Sequence, residues 1–84
     1  MQLRESGLTW QTVGDEIVVL DLDGSVYLKL NGSARLLWDR LGAPTDEASL
    51  AAELVERYGV DADRAAADTA AFVAELRRRS LLDE

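Results

Sequence analysis

Apolar and polar positions change period once along this chain, near Ser33. Before that point the pattern is short and two-fold. Val, Ile and Thr are dense there (Thr9, Thr12, Val13, Ile17, Val18, Val19, Val26), and no alanine occurs before Ala34. β-branched residues fit the pleated, half-buried surface of a strand. The spacing predicts three strands: Leu8–Val13, Glu16–Leu22 and Ser25–Leu30. Gly14-Asp15 is a two-residue turn in which Gly supplies a positive φ, and Asp23-Gly24 is the strongest hairpin signal in the chain. Both connections are short, so the strands form an antiparallel meander, and the third strand lies at its edge.

After Ser33 the period becomes helical and twelve alanines follow. Ala34, Leu37, Trp38 and Leu41 fall at i, i+3, i+4 and i+7, one face of a first helix. Asn31 is its expected N-cap, with Ser33 as the alternative. Gly42-Ala43-Pro44 ends it. A second helix carries Leu50, Ala51, Leu54, Val55 and Tyr58 on one stripe, is expected to be capped by Thr45, and stops at Gly59. A third is capped by Asp61, and its apolar face runs through Ala65 or Ala66, Thr69, Phe72, Val73 and Leu76. Acids at its start and Arg77-Arg78-Arg79 at its end suit the helix dipole. Leu81-Leu82 then returns apolar surface to the body. Strands in one block and helices in the next make an α+β domain, winged-helix-like, spanning 1–84 as one unit. Trp10 and Trp38 are expected as core or half-buried anchors.

Charge and chemistry narrow the function. The net charge is −7, with sixteen acidic and nine basic residues, eight of them Arg. That opposes binding to nucleic acid or to an anionic membrane, both of which need a basic face. No apolar run is long enough for a membrane span. Met1 to Gly7 holds no apolar signal segment, so a cytoplasmic location is expected. Neither His nor Cys occurs. The commonest general base, the commonest metal ligands and the thiol nucleophile are therefore missing. The serines (Ser6, Ser25, Ser33, Ser49, Ser80) have no partner base at a recognisable spacing. Asp21/Asp23 and Asp61/Asp63 lack the full calcium-loop pattern and read as turn and cap residues. No enzyme activity, cofactor or metal is expected.

Two features remain. The third strand alternates Val26, Leu28 and Leu30 with Ser25, Tyr27 and Lys29, and only Lys29 blunts its open edge. The third helix is rich in alanine (Ala65, Ala66, Ala67, Ala70, Ala71, Ala74), which offers either high helix propensity or a smooth surface for another chain. An under-protected edge beside such a helix fits β-augmentation by an extended peptide.

The run "VVLDLDGSVYLKLNGSARLLWDRL", followed by "SLAAELVERYGVD" and "FVAELRRRSLL", resembles the PqqD family. The residues that carry the resemblance are Val18-Val19-Leu20-Asp21, Tyr27, Leu30-Asn31, Ala34, Trp38, Leu41, Tyr58-Gly59-Val60, Phe72, Leu76 and Leu81-Leu82. Ser80 departs from the pattern, since the family often has Gly there. The resemblance implies a recognition element for the leader of ribosomally made, modified peptides. In that arrangement the leader adds as a strand to the third strand and lies against the third helix. On this chain the strand is Ser25, Val26, Tyr27, Leu28, Lys29 and Leu30. The helical wall, chosen by spacing of three or four residues, is Asp68, Ala71, Phe72, Glu75 and Leu76. A short, acidic, free-standing member looks most like the leader-binding protein of lasso-peptide pathways. The implied partners are a precursor leader, a separate cysteine-protease-like leader peptidase and an ATP-dependent cyclase. The alternatives are a winged-helix DNA-binding regulator and a structural subunit of a modifying enzyme.

Overall fold

The computed structural model describes residues 1–4, 7–22 and 26–84. Its elements are β1 (Gln2–Leu3), β2 (Leu8–Val13), β3 (Glu16–Asp21), β4 (Val26–Leu30), α1 (Ser33–Arg40), α2 (Glu47–Tyr58), α3 (Ala62–Arg78) and β5 (Leu82–Asp83). β2, β3 and β4 form the antiparallel meander in sequence order. The expected three strands followed by three helices are therefore present. The Asp23-Gly24 turn and Ser25 lie outside the described residues.

β3 sits at the centre. Ile17, Val19 and Asp21 are buried, while Leu20 between them is exposed. Paired residues across an antiparallel ladder share a face. Trp10 and Leu28 oppose Val19, and Leu30 opposes Ile17, so all three are on the inner side. Leu37, Trp38 and Leu41, then Leu50 and Leu54, then Ala65, Val73 and Leu76 close over that side. Trp38 is almost fully buried and meets Trp10 edge to face, with ring centroids 5.3 Å apart. Trp10 itself remains 45% exposed, so it is the half-buried partner of the pair.

The helix boundaries depart from the expected caps at two places. α1 starts from Gly32, at φ 55°, with no side-chain cap, rather than from Asn31 or Ser33. Asp46, not Thr45, caps α2: its carboxylate accepts from the Ser49 N–H at 2.7 Å. That bond holds the Asp46 carboxyl below its ordinary range. Thr45 is occupied elsewhere, its N–H bonding the Met1 carbonyl and its own carbonyl accepting from the Met1 amine. Gly59 ends α2 at φ 65°, and Asp61 caps α3, both as the sequence implies.

The chain termini pair with each other, which the periodicity did not reveal. β1 and β5 form a two-stranded antiparallel sheet. Arg4 fastens it to the body: one guanidinium nitrogen donates to the buried Asp21 at 2.6 Å and another to the Ser80 carbonyl at 2.9 Å. Asp21 is thus an inward charge met by Arg4. α3 ends in a Schellman turn. The Leu81 N–H bonds the Leu76 carbonyl, the Ser80 N–H bonds the Arg77 carbonyl, and Leu76 and Leu81 are both fully buried. Ser80 takes the left-handed position of that turn, at φ 59°.

Two outcomes follow from these joints. A side chain in the left-handed region costs more than glycine does, even after glycine's greater freedom in the unfolded chain is counted. Ser80→Gly should therefore stabilise the protein by about 0.5–1 kcal/mol, read as a rise of a few degrees in Tm. An unchanged or lower Tm would show that the turn tolerates serine at no cost. Arg4→Ala removes the cationic partner of a buried carboxylate and should cost about 3 kcal/mol in urea unfolding. A loss under about 0.5 kcal/mol, the scale of an exposed pair, would show that the clasp contributes little.

Candidate functional site

Among the described residues, β4 is hydrogen-bonded to a strand on one side only, β3, because it is the last strand of the meander. Backbone groups alternate in direction along a strand, so part of its N–H and C=O set faces away from β3. Its side chains divide as the alternation predicts. Leu30 is buried and Leu28 half-buried against the core, while Tyr27 and Lys29 are exposed on the outer face. Tyr27 lies opposite Leu20, and both are exposed. The one charge available to blunt the edge is drawn inward along the sheet: the Lys29 ammonium pairs with Glu16 of β3 at 3.4 Å. Ser25 falls outside the described residues, and of Val26 only the backbone pairing with Asp21 is described.

The five α3 positions divide differently. Asp68 and Ala71 are exposed, and Phe72 is half-buried against the core. Asp68 faces Arg64 one turn earlier at 3.6 Å. Glu75 is half-buried and bonds Arg79 at 2.7 Å and also Arg78. Those two hydrogen bonds, Arg79's the stronger, hold its carboxyl below the usual carboxylate range. Leu76, which spacing put both on the apolar face of the helix and in the expected wall, is on the core side. It is fully buried, locked under Leu81 by the Schellman turn, and offers no surface to a ligand. Leu30 likewise contributes backbone only, since its side chain is 4% exposed. Spacing on a helix identifies a side of it, and that side here includes the inward stripe.

The arginines at the end of α3 are all paired in place, three cations with two carboxylates. Arg77 pairs with Glu84 at 2.7 Å, while Arg78 and Arg79 share Glu75. The bond to Glu84 pushes the Arg77 guanidinium above its ordinary value. No basic face forms from them, which removes the electrostatic requirement for a DNA-binding wing. No group of acidic side chains among the described residues is arranged to hold a metal ion. No helix among them is long and apolar enough to cross a membrane.

One concentration of charge went unread in the sequence. Arg35, Arg40 and Arg57 line a common cleft between α1 and the end of α2. No spacing rule links Arg57 to the other two, so no signal in the sequence marks the cluster.

The chain resembles solved proteins throughout its length. A structure solved as TbiB1 in complex with the TbiA(beta) leader peptide superposes with a TM-score of 0.84 at 23% identity, over 99% of this chain and 95% of that one. A lasso peptide synthetase B1 complexed with its leader peptide superposes with a TM-score of 0.82 at 29% identity, over 95% and 93%. No curated protein matches in sequence. The family model of coenzyme PQQ synthesis protein D matches residues 16–82, from the first residue of β3 to the first of β5. With that match covering most of its length, the chain belongs to the PqqD family.

Proposed function

We propose that this chain binds the leader segment of a ribosomally made precursor peptide and catalyses nothing itself. The observation that carries the reading is the free edge of β4, whose only blunting charge is tied back to Glu16. An extended leader adds there as a fourth strand. Its backbone bonds supply affinity, and the strip between β4 and the exposed part of α3 (Asp68, Ala71, Phe72, Glu75) reads alternate side chains. Two structures of the same fold, the lasso synthetase B1 protein among them, were solved with leader peptides, which supports a lasso-type precursor as the ligand.

The mechanism is local concentration. A held leader presents the rest of the precursor to its maturation enzymes at an effective concentration set by the linker, not by the bulk. The partners that fit are a separate leader peptidase and, downstream, an ATP-dependent cyclase, in the cytoplasm. The absence of His and Cys from the sequence favours a binding role, with the chemistry left to those partners. Of the alternatives, DNA binding is opposed by the net charge of −7 and by the internal pairing of the α3 arginines.

The test is a fluorescence-anisotropy titration with a labelled leader from a short open reading frame beside this gene. Saturable binding at micromolar concentration or tighter, lost on scrambling, is expected. Ala71→Arg adds bulk and charge to an exposed site on α3 and should weaken binding at least tenfold, about 1.4 kcal/mol, with Tm unchanged. Proline at Tyr27 or at Lys29 removes one backbone donor. Whichever variant keeps its circular dichroism should lose affinity. Full affinity in folded variants at both positions would show that neither N–H pairs with the leader and would count strongly against augmentation at this edge. Absence of any binding to the leader would leave the structural-subunit role, which is read by co-purification with a modifying enzyme.

A further inference from the structure

The cleft between α1, the last turn of α2 and the β2–β3 end has a volume of about 310 Å³ and is lined by no residue of β4 or α3. Its arginines differ in state. Arg40 is spent: its guanidinium donates to Glu53 at 2.6 Å and to Asp39 at 2.8 Å. Among the described residues, Arg35 and Arg57 form no ion pair with an acidic side chain. Every other cationic side chain has one: Arg4 with Asp21, Lys29 with Glu16, Arg64 with Asp68, Arg77 with Glu84, and Arg78 and Arg79 with Glu75. The chain has sixteen acidic side chains and nine basic ones. In such a chain, two unpaired guanidiniums falling in one cleft is the reverse of what charge balance alone would produce.

Three further observations point the same way. Arg35 Nε is buried and has no hydrogen-bond partner. A buried donor left unmade carries a penalty, and Arg35 is the one cleft arginine that carries it. Gly32, the uncapped start of α1, lines the cleft, and the first turn of that helix holds no acid, so the dipole there adds to the arginines. Ile17 and Leu36, each 8% exposed, also line it and give the cleft an apolar side on which charge-assisted bonds are stronger than in open water.

We infer that this cleft is an oxyanion site in which Arg35 and Arg57 hold one carboxylate or phosphate group. Guanidinium forks match both geometries. The volume is at the small end for ligand pockets, so the occupant is a single acidic group rather than a nucleotide. Asp39, also on the wall, repels a polyanion. The site is independent of leader binding, because it uses neither β4 nor α3.

The experiment follows the arginine Nε–Hε signals of the full, 15N-labelled chain during titration with sodium phosphate and, separately, sodium acetate, at constant ionic strength in chloride. Saturable shifts of Arg35 and Arg57 at millimolar anion or below, absent from Arg77, are expected. Response to phosphate alone identifies a phosphate-bearing ligand. Response to acetate alone identifies a carboxylate such as an acidic side chain or chain terminus. Response to both establishes a general oxyanion site. Arg57→Gln, at an exposed position, should weaken the response at least tenfold while leaving leader affinity intact. Linear, unsaturated shifts across all arginines would overturn the inference, as would saturable shifts that persist undiminished in Arg57→Gln. Loss of leader affinity in that variant would place the cleft in the peptide's own path and overturn the independent site. A failure to bind leader in the native chain bears only on the leader reading.

Discussion

The strict alternation of β3 is the constraint on which the rest of this fold depends. Ile17, Val19 and Asp21 point into the protein, and a slip of one residue would turn all three outward. Their placement sets the register of both neighbours, bringing Trp10 and Leu28 over Val19 and Leu30 over Ile17. The helices then have one apolar surface to cover, and Trp38 seats against Trp10 at its margin. Because short turns join the strands in order, β3 uses both of its sides and, among the described residues, β2 and β4 one each. The open edge is thus a consequence of the arrangement that builds the core. It cannot be closed without another strand.

The same strand ties the two ends of the chain together. Asp21 completes the inward row with a charge, and a charge there needs a partner. Arg4 supplies it, and its second donor reaches the Ser80 carbonyl at the end of α3. The Schellman turn at Ser80 delivers Leu81 into the core and aims Leu82 and Asp83 at β1. Three segments distant in sequence meet at one guanidinium. α3 is held at its C-terminal end by this joint and along its length by Thr69, Val73 and Leu76 in the core. Its exposed side is presented on a fixed support, which suits a surface that recognises rather than reacts.

Charge is distributed by the same logic. An acidic chain can neutralise nearly all of its cations internally, and this one does so at seven of nine positions. The basic run at the end of α3 is consumed by Glu75 and Glu84, so a feature that looks like a patch in the sequence is no patch in space. Among the described residues, the two guanidiniums without an acidic partner, Arg35 and Arg57, lie in the cleft beside α1.

The sequence by itself determined what acts over a few residues. The two-fold and 3.6-fold periods located the strands and helices, Gly59 and Asp61 marked helix ends, and the short turns made the third strand an edge. These are local effects, each decided by neighbours within about one turn or one pleat. The tertiary structure decided what depends on distant partners. Thr45 lost its capping role to Asp46 because Met1 bonds its backbone. Leu76, open between core and wall by spacing, became core because the chain folds back at Ser80 and covers it. Arg4 found Asp21 across 17 residues and Ser80 across 76, and β1 found β5. No periodicity encodes such pairings. They depend on burial and on the need of each buried polar group for a partner, and both exist only once the chain has closed.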